Sequence, residues 1–185
     1  DEKRMGRAGV VKYYLEKGVL DVNKHKINVG GSDIVNLKLE DFVKFHLEGL
    51  SHGFLVTLVG SPSGQSQFDK IIFDPATNRV IRMDMERAIN LSLGEHANTG
   101  TAYFDAKVND MFLKIDEGRV PIDWENIGDE LFSVARCFES TRLFESWIPL
   151  KTPYDYKKAK DLDFEEWFDV NSVEDILGEY KSNPV

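Results

Sequence analysis

Cysteine is almost missing from this 185-residue chain: Cys137 is the one thiol, so no disulfide can form within it. Disulfides are common in secreted proteins and rare in proteins that work in reducing compartments. The lack of a second cysteine therefore predicts an intracellular protein, most simply a cytoplasmic one.

Long apolar runs and grouped metal ligands are also missing. No stretch of about 18 apolar residues occurs, and a membrane-spanning helix needs at least that many, so we predict no membrane span. The four histidines, His25, His46, His52 and His96, are scattered through the sequence and show no metal-ligand spacing. We therefore predict no metal site and no cofactor.

Positive charge is scarce, since 23 Lys and Arg face 32 Asp and Glu and give a net charge of −9. This balance argues against nucleic acid binding across the main surface. It favours instead a protein partner that presents a basic surface. The hydrophobic fraction of 42% is sufficient for one domain with a substantial core.

The patterning predicts a single α+β domain in which a small antiparallel sheet or hairpin is packed by amphipathic helices. Its parts are a basic N-terminal arm over residues 1–26, a globular core over 27–153 and an acidic, aromatic segment over 154–185. The first part carries seven basic and four acidic residues, and a short helix or extended arm fits its apolar positions.

Helices are predicted where apolar residues recur at spacings of three and four. The clearest example is 39–50, and a longer helix is predicted over 124–147, which places Cys137 in mid-helix. A short helix is expected over 84–93. The polar residues 94–101 are expected to form a loop.

A β-hairpin is the element from which the sequence suggests chemistry. Residues 54–59 and 68–73 are apolar, rich in β-branched side chains and joined by Gly, Ser, Pro and Gln over 61–67. In an antiparallel hairpin the start of one strand lies beside the end of the other. His52 and Asp74 are therefore predicted to be neighbours.

The order His52, Asp74, Cys137 resembles the adenain, Ulp1 and YopJ group of thiol proteases and acyltransferases. Residues 52–56 look like that group's histidine strand, and residues 71–75 look like its acidic strand. The resemblance implies that Cys137 is a nucleophile, that His52 is its base and that Asp74 orients the histidine.

A second candidate site lies in the C-terminal segment, where 161–180 carries eight acidic residues and no Lys or Arg. Aromatic side chains among carboxylates supply contact area for a partner. The residues predicted to bind it are Phe164, Glu165, Glu166, Trp167, Phe168 and Asp169. The main interpretation is thus an acidic interaction or regulatory domain without catalysis of its own, and the alternative is a thiol protease or acyltransferase.

Overall fold

The structure is a computed structural model of the chain. It describes residues 6–29, 33–35, 37–62, 69–84, 90–115, 128–140, 147–149 and 153–160. The elements in chain order are α1 (Gly6–Glu16), β1 (Lys26–Asn28), β2 (Asp33–Val35), α2 (Leu39–Leu50), β3 (Val56–Ser61), β4 (Lys70–Phe73), β5 (Val80–Asp84), β6 (Glu95–Phe104), a one-turn 3-10 helix (Ala106–Val108), α3 (Asn109–Leu113), α4 (Gly128–Ser133), β7 (Ala135–Glu139), β8 (Trp147–Pro149) and α5 (Pro153–Lys160). The predicted α+β single domain is confirmed.

A mixed six-stranded sheet forms the centre of the molecule. Five strands follow the order β5-β4-β6-β3-β7, and β1 pairs with the final residues of β6. The β3–β7 pair is parallel, with Val56 opposite Ala135, and every other pair in this sheet is antiparallel. Strands β2 and β8 form a separate antiparallel pair.

The predicted hairpin between 54–59 and 68–73 is wrong. Strand β3 does form where the β-branched residues predicted it, but it pairs with β6 and β7, whereas β4 pairs with β5 and β6. The inserted strand is β6, which includes most of the polar stretch 94–101 that was expected to be a loop. Most of the predicted hairpin loop, 63–67, lies outside the described residues.

One face of the sheet is covered by α2, whose limits match the predicted helix over 39–50. Its buried Phe42, Val43 and Leu47 pack against a cluster that includes Val59 and Tyr103 of the sheet. The periodic stripe therefore identified both the helix and the face that it buries.

The other face carries the larger core, to which α1, α3 and α4 contribute. Ala8 and Leu15 of α1 are buried in it, so residues 6–16 form a packed helix rather than an extended arm. The division of the chain at residue 26 stays a prediction. The β4–β5 turn also reaches the outer edge of β7, where the Cys137 N–H donates to the Asn78 carbonyl at 2.8 Å.

The predicted helix over 124–147 is wrong in its second half. Helix α4 ends at Ser133, and residues 135–139 form the parallel strand β7, with Cys137 opposite Leu58. A long-range pairing with β3 outweighs the local helical pattern. Of the predicted helix over 84–93, Asp84 belongs to β5 and 85–89 lie outside the described residues.

A search of the described part of the chain for membrane spans finds no helix with the length and apolar character to cross a bilayer.

Candidate functional site at the carboxyl edge of the sheet

The parallel strands β3 and β7 finish side by side and define one edge of the sheet, which we call the carboxyl edge. It comprises Ser61 at the end of β3, Glu139 and Ser140 at the end of β7, and Asn98 of the neighbouring β6. The Ser140 N–H donates to the Gly60 carbonyl at 2.9 Å and holds the two strand ends together. Ligands of open α/β sheets commonly bind beyond the carboxyl ends of parallel strands.

An irregularity in β6 shapes this edge. The register between β3 and β6 shifts between Leu58 and Gly60, so additional residues of β6 lie opposite Val59. The Thr99 hydroxyl donates to the Val59 carbonyl at 2.9 Å, and the Asn98 side chain accepts from the N–H of Gly100, whose φ is 76°. Bulges of this kind redirect side chains near binding sites.

A buried histidine, His96, adjoins the carboxyl edge, one position beyond the residue of β6 that lies opposite Ser61. His96 Nε2 is 3.2 Å from the Glu139 carboxylate, and His96 Nδ1 is 2.7 Å from the Glu95 carbonyl. The ring also contacts Phe73 edge to face, with centroids 4.8 Å apart. Imidazole and carboxylate together can exchange a proton with a bound ligand or accept hydrogen bonds from its hydroxyl groups.

Gly60 is what lets His96 come this close to β3. A Cβ at this position would lie 2.6 Å from His96 Cβ and 2.9 Å from Cys137 Sγ. We expect Gly60→Ala to lower the free energy of unfolding by about 1–3 kcal/mol, because atoms fixed to the backbone cannot move aside. Urea unfolding followed by circular dichroism measures this loss.

Gly49→Ala is the matched control for that variant. Its new Cβ would meet Arg136 Nη1 at 3.0 Å and Arg136 Cδ at 3.2 Å, atoms of a side chain with several rotatable bonds, and alanine favours the helix. An equal loss of stability in both variants would contradict close packing at Gly60 as the cause.

The remaining groups at the carboxyl edge are also polar. Lys70 Nζ lies 3.9 Å from the Glu95 carboxylate, and the Asn98 N–H donates to the Asp69 carbonyl. Ser140 is fully buried, and its hydroxyl has no hydrogen-bond partner within the described residues. Hydroxyl, amide and carboxylate groups collected in this way suit a polyhydroxylated ligand.

Comparison with solved structures shows what this fold is similar to. HddC from Yersinia pseudotuberculosis, solved with GMP-PN, matches with a TM-score of 0.59 and 18% identity over 86% of this chain. HddC without that ligand gives 0.60, and a putative glucose-1-phosphate thymidylyltransferase from Bacillus anthracis in complex with a sucrose gives 0.64, with 16% identity over 89% of the chain. The likeness is one of overall fold, at low sequence identity.

The match concerns the fold, and it concerns only part of each neighbour. This chain spans 63–64% of the length of those structures. No protein-family model matches the sequence, and a search of curated proteins finds no match either.

These neighbours correct two predictions. The resemblance to the adenain, Ulp1 and YopJ group is wrong, because the structural neighbours are nucleotidyltransferase-like proteins rather than thiol proteases. They also contradict the interaction or regulatory domain without catalysis, since one neighbour was solved with GMP-PN and another is a putative glucose-1-phosphate thymidylyltransferase.

The three residues of the proposed thiol site occupy different environments. His52 lies in the exposed turn that follows α2. Asp74 follows β4, where its carboxylate accepts from the Ala76 N–H and the Thr77 hydroxyl, and these hydrogen bonds lower its pKa. Cys137 lies in β7 with 2% of its surface exposed. The hairpin that was predicted to join His52 to Asp74 does not form.

The buried thiol leads to a prediction about reactivity. Burial, and to a lesser extent Glu139, raises the pKa of Cys137, so little reactive thiolate forms near neutral pH. We expect native protein to react with iodoacetamide at pH 8 roughly 100-fold or more slowly than urea-unfolded protein. His52→Ala should leave the rate unchanged, and rapid labelling that this substitution abolishes would contradict the structure.

Two further sets of predicted residues are the partner-binding segment and the histidines. The partner-binding residues Phe164, Glu165, Glu166, Trp167, Phe168 and Asp169 lie outside the described residues. The histidines are less scattered than the sequence indicated, because the rings of His25 and His46 lie 6.3 Å apart.

Sequence reasoning missed His96, Asn98 and Glu139, the residues that the carboxyl edge brings together. A usable signal was present: the polar residues 95–101 lead without a break into the apolar residues 102–104. Such a sequence fits a strand whose first half borders a polar site.

Proposed function

We propose that this chain forms part of a nucleotidyltransferase-type enzyme and binds a sugar phosphate or nucleotide sugar at the carboxyl edge. The observation that carries the proposal is the fold match over 86–89% of the chain to neighbours that include HddC solved with GMP-PN and a putative glucose-1-phosphate thymidylyltransferase. The reaction class implied is transfer of a nucleotidyl group to a sugar phosphate.

The chemistry of the carboxyl edge supports the sugar part of this assignment. Asn98 and Glu139 offer amide and carboxylate groups to sugar hydroxyls, and the buried Ser140 hydroxyl lacks a partner in the described part of the chain. Among the described residues of this edge, Lys70 is the cation, and Glu95 already lies near it. Charge at the edge is therefore better matched to a sugar than to a bare triphosphate.

A binding titration tests the proposal without requiring turnover, which suits a chain shorter than its neighbours. Isothermal titration calorimetry with dTDP-glucose, GDP-mannose, UDP-glucose and glucose 1-phosphate should show at least one ligand with Kd of about 1 mM or tighter. Asn98→Ala and Glu139→Gln should weaken that binding by roughly tenfold or more.

Glu48→Gln is the control, because Glu48 is exposed on α2 rather than at the carboxyl edge. Its affinity should equal that of the wild type. The proposal would be overturned if none of the four ligands bound, or if every variant bound with the same affinity.

We also propose an intracellular location and a protein partner with a basic surface. The single cysteine supports the first and the net charge of −9 supports the second. The segment assigned to this contact is 164–169. Because exposed ion pairs contribute little, we expect Trp167→Ala to weaken the association more than Glu166→Gln does.

Affinity for a partner isolated from cell extract, measured at low and high salt, tests the role of this segment. Losses of equal size that disappear together at high salt would show that charge alone holds the contact, against this expectation.

A further inference from the structure

We propose that His25, His46 and Asp105 bind a divalent transition-metal ion of the Zn²⁺ class. One ligand atom from each of the three residues lies within 4.8 Å of the other two. The group is located where β6 ends, opposite the start of β3 and away from the carboxyl edge. The proposal therefore does not rest on the proposed function.

His46 provides the strongest support, because its ring is fully buried and only one of its two nitrogens has a hydrogen-bond partner within the described residues. Its Nδ1 lies 2.9 Å from the Thr57 hydroxyl, while Nε2 has no hydrogen-bond partner within the described residues. A buried polar atom without a partner is costly. Metal-bound histidines commonly use one nitrogen for the ion and the other for an orienting hydrogen bond.

The other two ligands are held by hydrogen bonds of their own. Asp105 uses one carboxylate oxygen to accept from the Lys107 N–H at 2.8 Å, and its second oxygen lies 3.5 Å from His25 Nδ1. The loop that carries His25 is fastened to the start of α3, because Asn109 donates to the Val22 carbonyl and accepts from Lys26 Nζ.

The spacing needs only a small contraction around an ion. In a triangle whose sides are all 4.8 Å, the largest that the three atoms allow, the centre lies about 2.8 Å from each corner, against about 2.0–2.2 Å for zinc with nitrogen or oxygen. Side-chain shifts of under about 1 Å complete the contacts, and the exposed side of His25 leaves room for a water ligand.

The ligand types select the class of metal. Two imidazoles and one carboxylate suit Zn²⁺, Co²⁺ or Ni²⁺, whereas Mg²⁺ and Ca²⁺ prefer oxygen ligands throughout. The bound ion would join the loop before β1, helix α2 and the end of β6, which are separate in the sequence. Binding is therefore expected to stabilise the fold.

Metal titration of the full chain, prepared without a histidine tag and treated with chelator, tests the proposal. We expect one Zn²⁺ per chain and, at a concentration about 100-fold above Kd, a rise in Tm of about 5–10 °C. Co²⁺ should give visible absorption bands that Zn²⁺ removes, while a large excess of Mg²⁺ leaves them intact.

Two variants that keep the fold identify the ligands. His25→Ala changes a partly exposed residue, and Asp105→Asn retains the oxygen that caps the 3-10 helix, so each should lose about tenfold or more in Zn²⁺ affinity. The matched controls are His52→Ala and Asp74→Asn, the latter because Asp74 also accepts from the N–H two residues on.

The controls should bind Zn²⁺ as the wild type does. No Zn²⁺ binding at millimolar concentration, equal affinity in all four variants, or displacement of Co²⁺ by Mg²⁺ would overturn the proposal.

Discussion

Acidification from pH 7 to pH 4 should cost the metal-free protein about 3 kcal/mol of stability through His46 alone. The folded state lowers the pKa of His46 from 6.5 to about 3, chiefly by burial and further by His25 and Arg136. The unfolded chain therefore binds a proton that the folded protein does not. The stability contributed by the neutral His46 ring is fully present above pH 6.5 and is lost as the pH falls towards 3.

Urea unfolding in the presence of a chelator, at intervals between pH 7 and pH 4, measures this dependence. His46→Gln removes the titrating group, so its stability should fall less steeply by up to about 1.4 kcal/mol per pH unit. His52→Gln, which replaces an exposed histidine, is the matched control. Identical slopes in wild type and His46→Gln would show that the ring is not buried as described.

Phe42→Ala should lower the free energy of unfolding by about 3–5 kcal/mol. The Phe42 ring is fully buried where α2 packs on the sheet, with its centroid 5.9 Å from that of Tyr103 and 5.5 Å from that of Phe138. Its removal leaves a cavity that the helix and the sheet cannot close, because both are held by their own hydrogen bonds.

Phe45→Ala on the same helix is the matched control for Phe42→Ala. Phe45 is only partly buried, and the Arg136 guanidinium lies over its ring at 3.9 Å. Its loss should be smaller, about 1–2 kcal/mol. Equal losses in chemical denaturation of the two variants would contradict the packing of α2.

The sequence predicted those elements whose determinants are local. Helix α2 could be read from its own stripe, because Phe42, Val43 and Leu47 recur at the helical period and bury one face. Strand β3 could be read from Val56 and Thr57, whose branched side chains favour extended backbone.

Elements that depend on distant partners could not be read in this way. Residues 135–139 continue an apolar helical pattern, and they become a strand because β3, about 80 positions earlier, offers a parallel edge. Strand β6 lacks apolar alternation in its first half, where His96 and Thr99 are buried through contacts with β3 and β7. The hairpin prediction failed because no local feature of the sequence indicates that β6 lies between β3 and β4.

The same limit applies to both side-chain clusters. His96 and Glu139 are more than 40 positions apart and meet only because β6 and β7 flank β3. His25, His46 and Asp105 come from a loop, a helix and a strand end, so no spacing in the sequence joins them. Only the folded chain brings the members of each cluster together, so a search for sequence motifs cannot detect either cluster.

Amide chemical shifts during a ligand titration show whether a nucleotide sugar or sugar phosphate binds at the carboxyl edge. ¹⁵N-labelled chain is titrated with each nucleotide sugar and with glucose 1-phosphate, up to about 10 mM. We expect saturable shifts centred on the amides of Gly60, Ser61, Asn98 and Ser140. Shifts centred on the far end of β6, or none with any ligand, would contradict binding at the carboxyl edge.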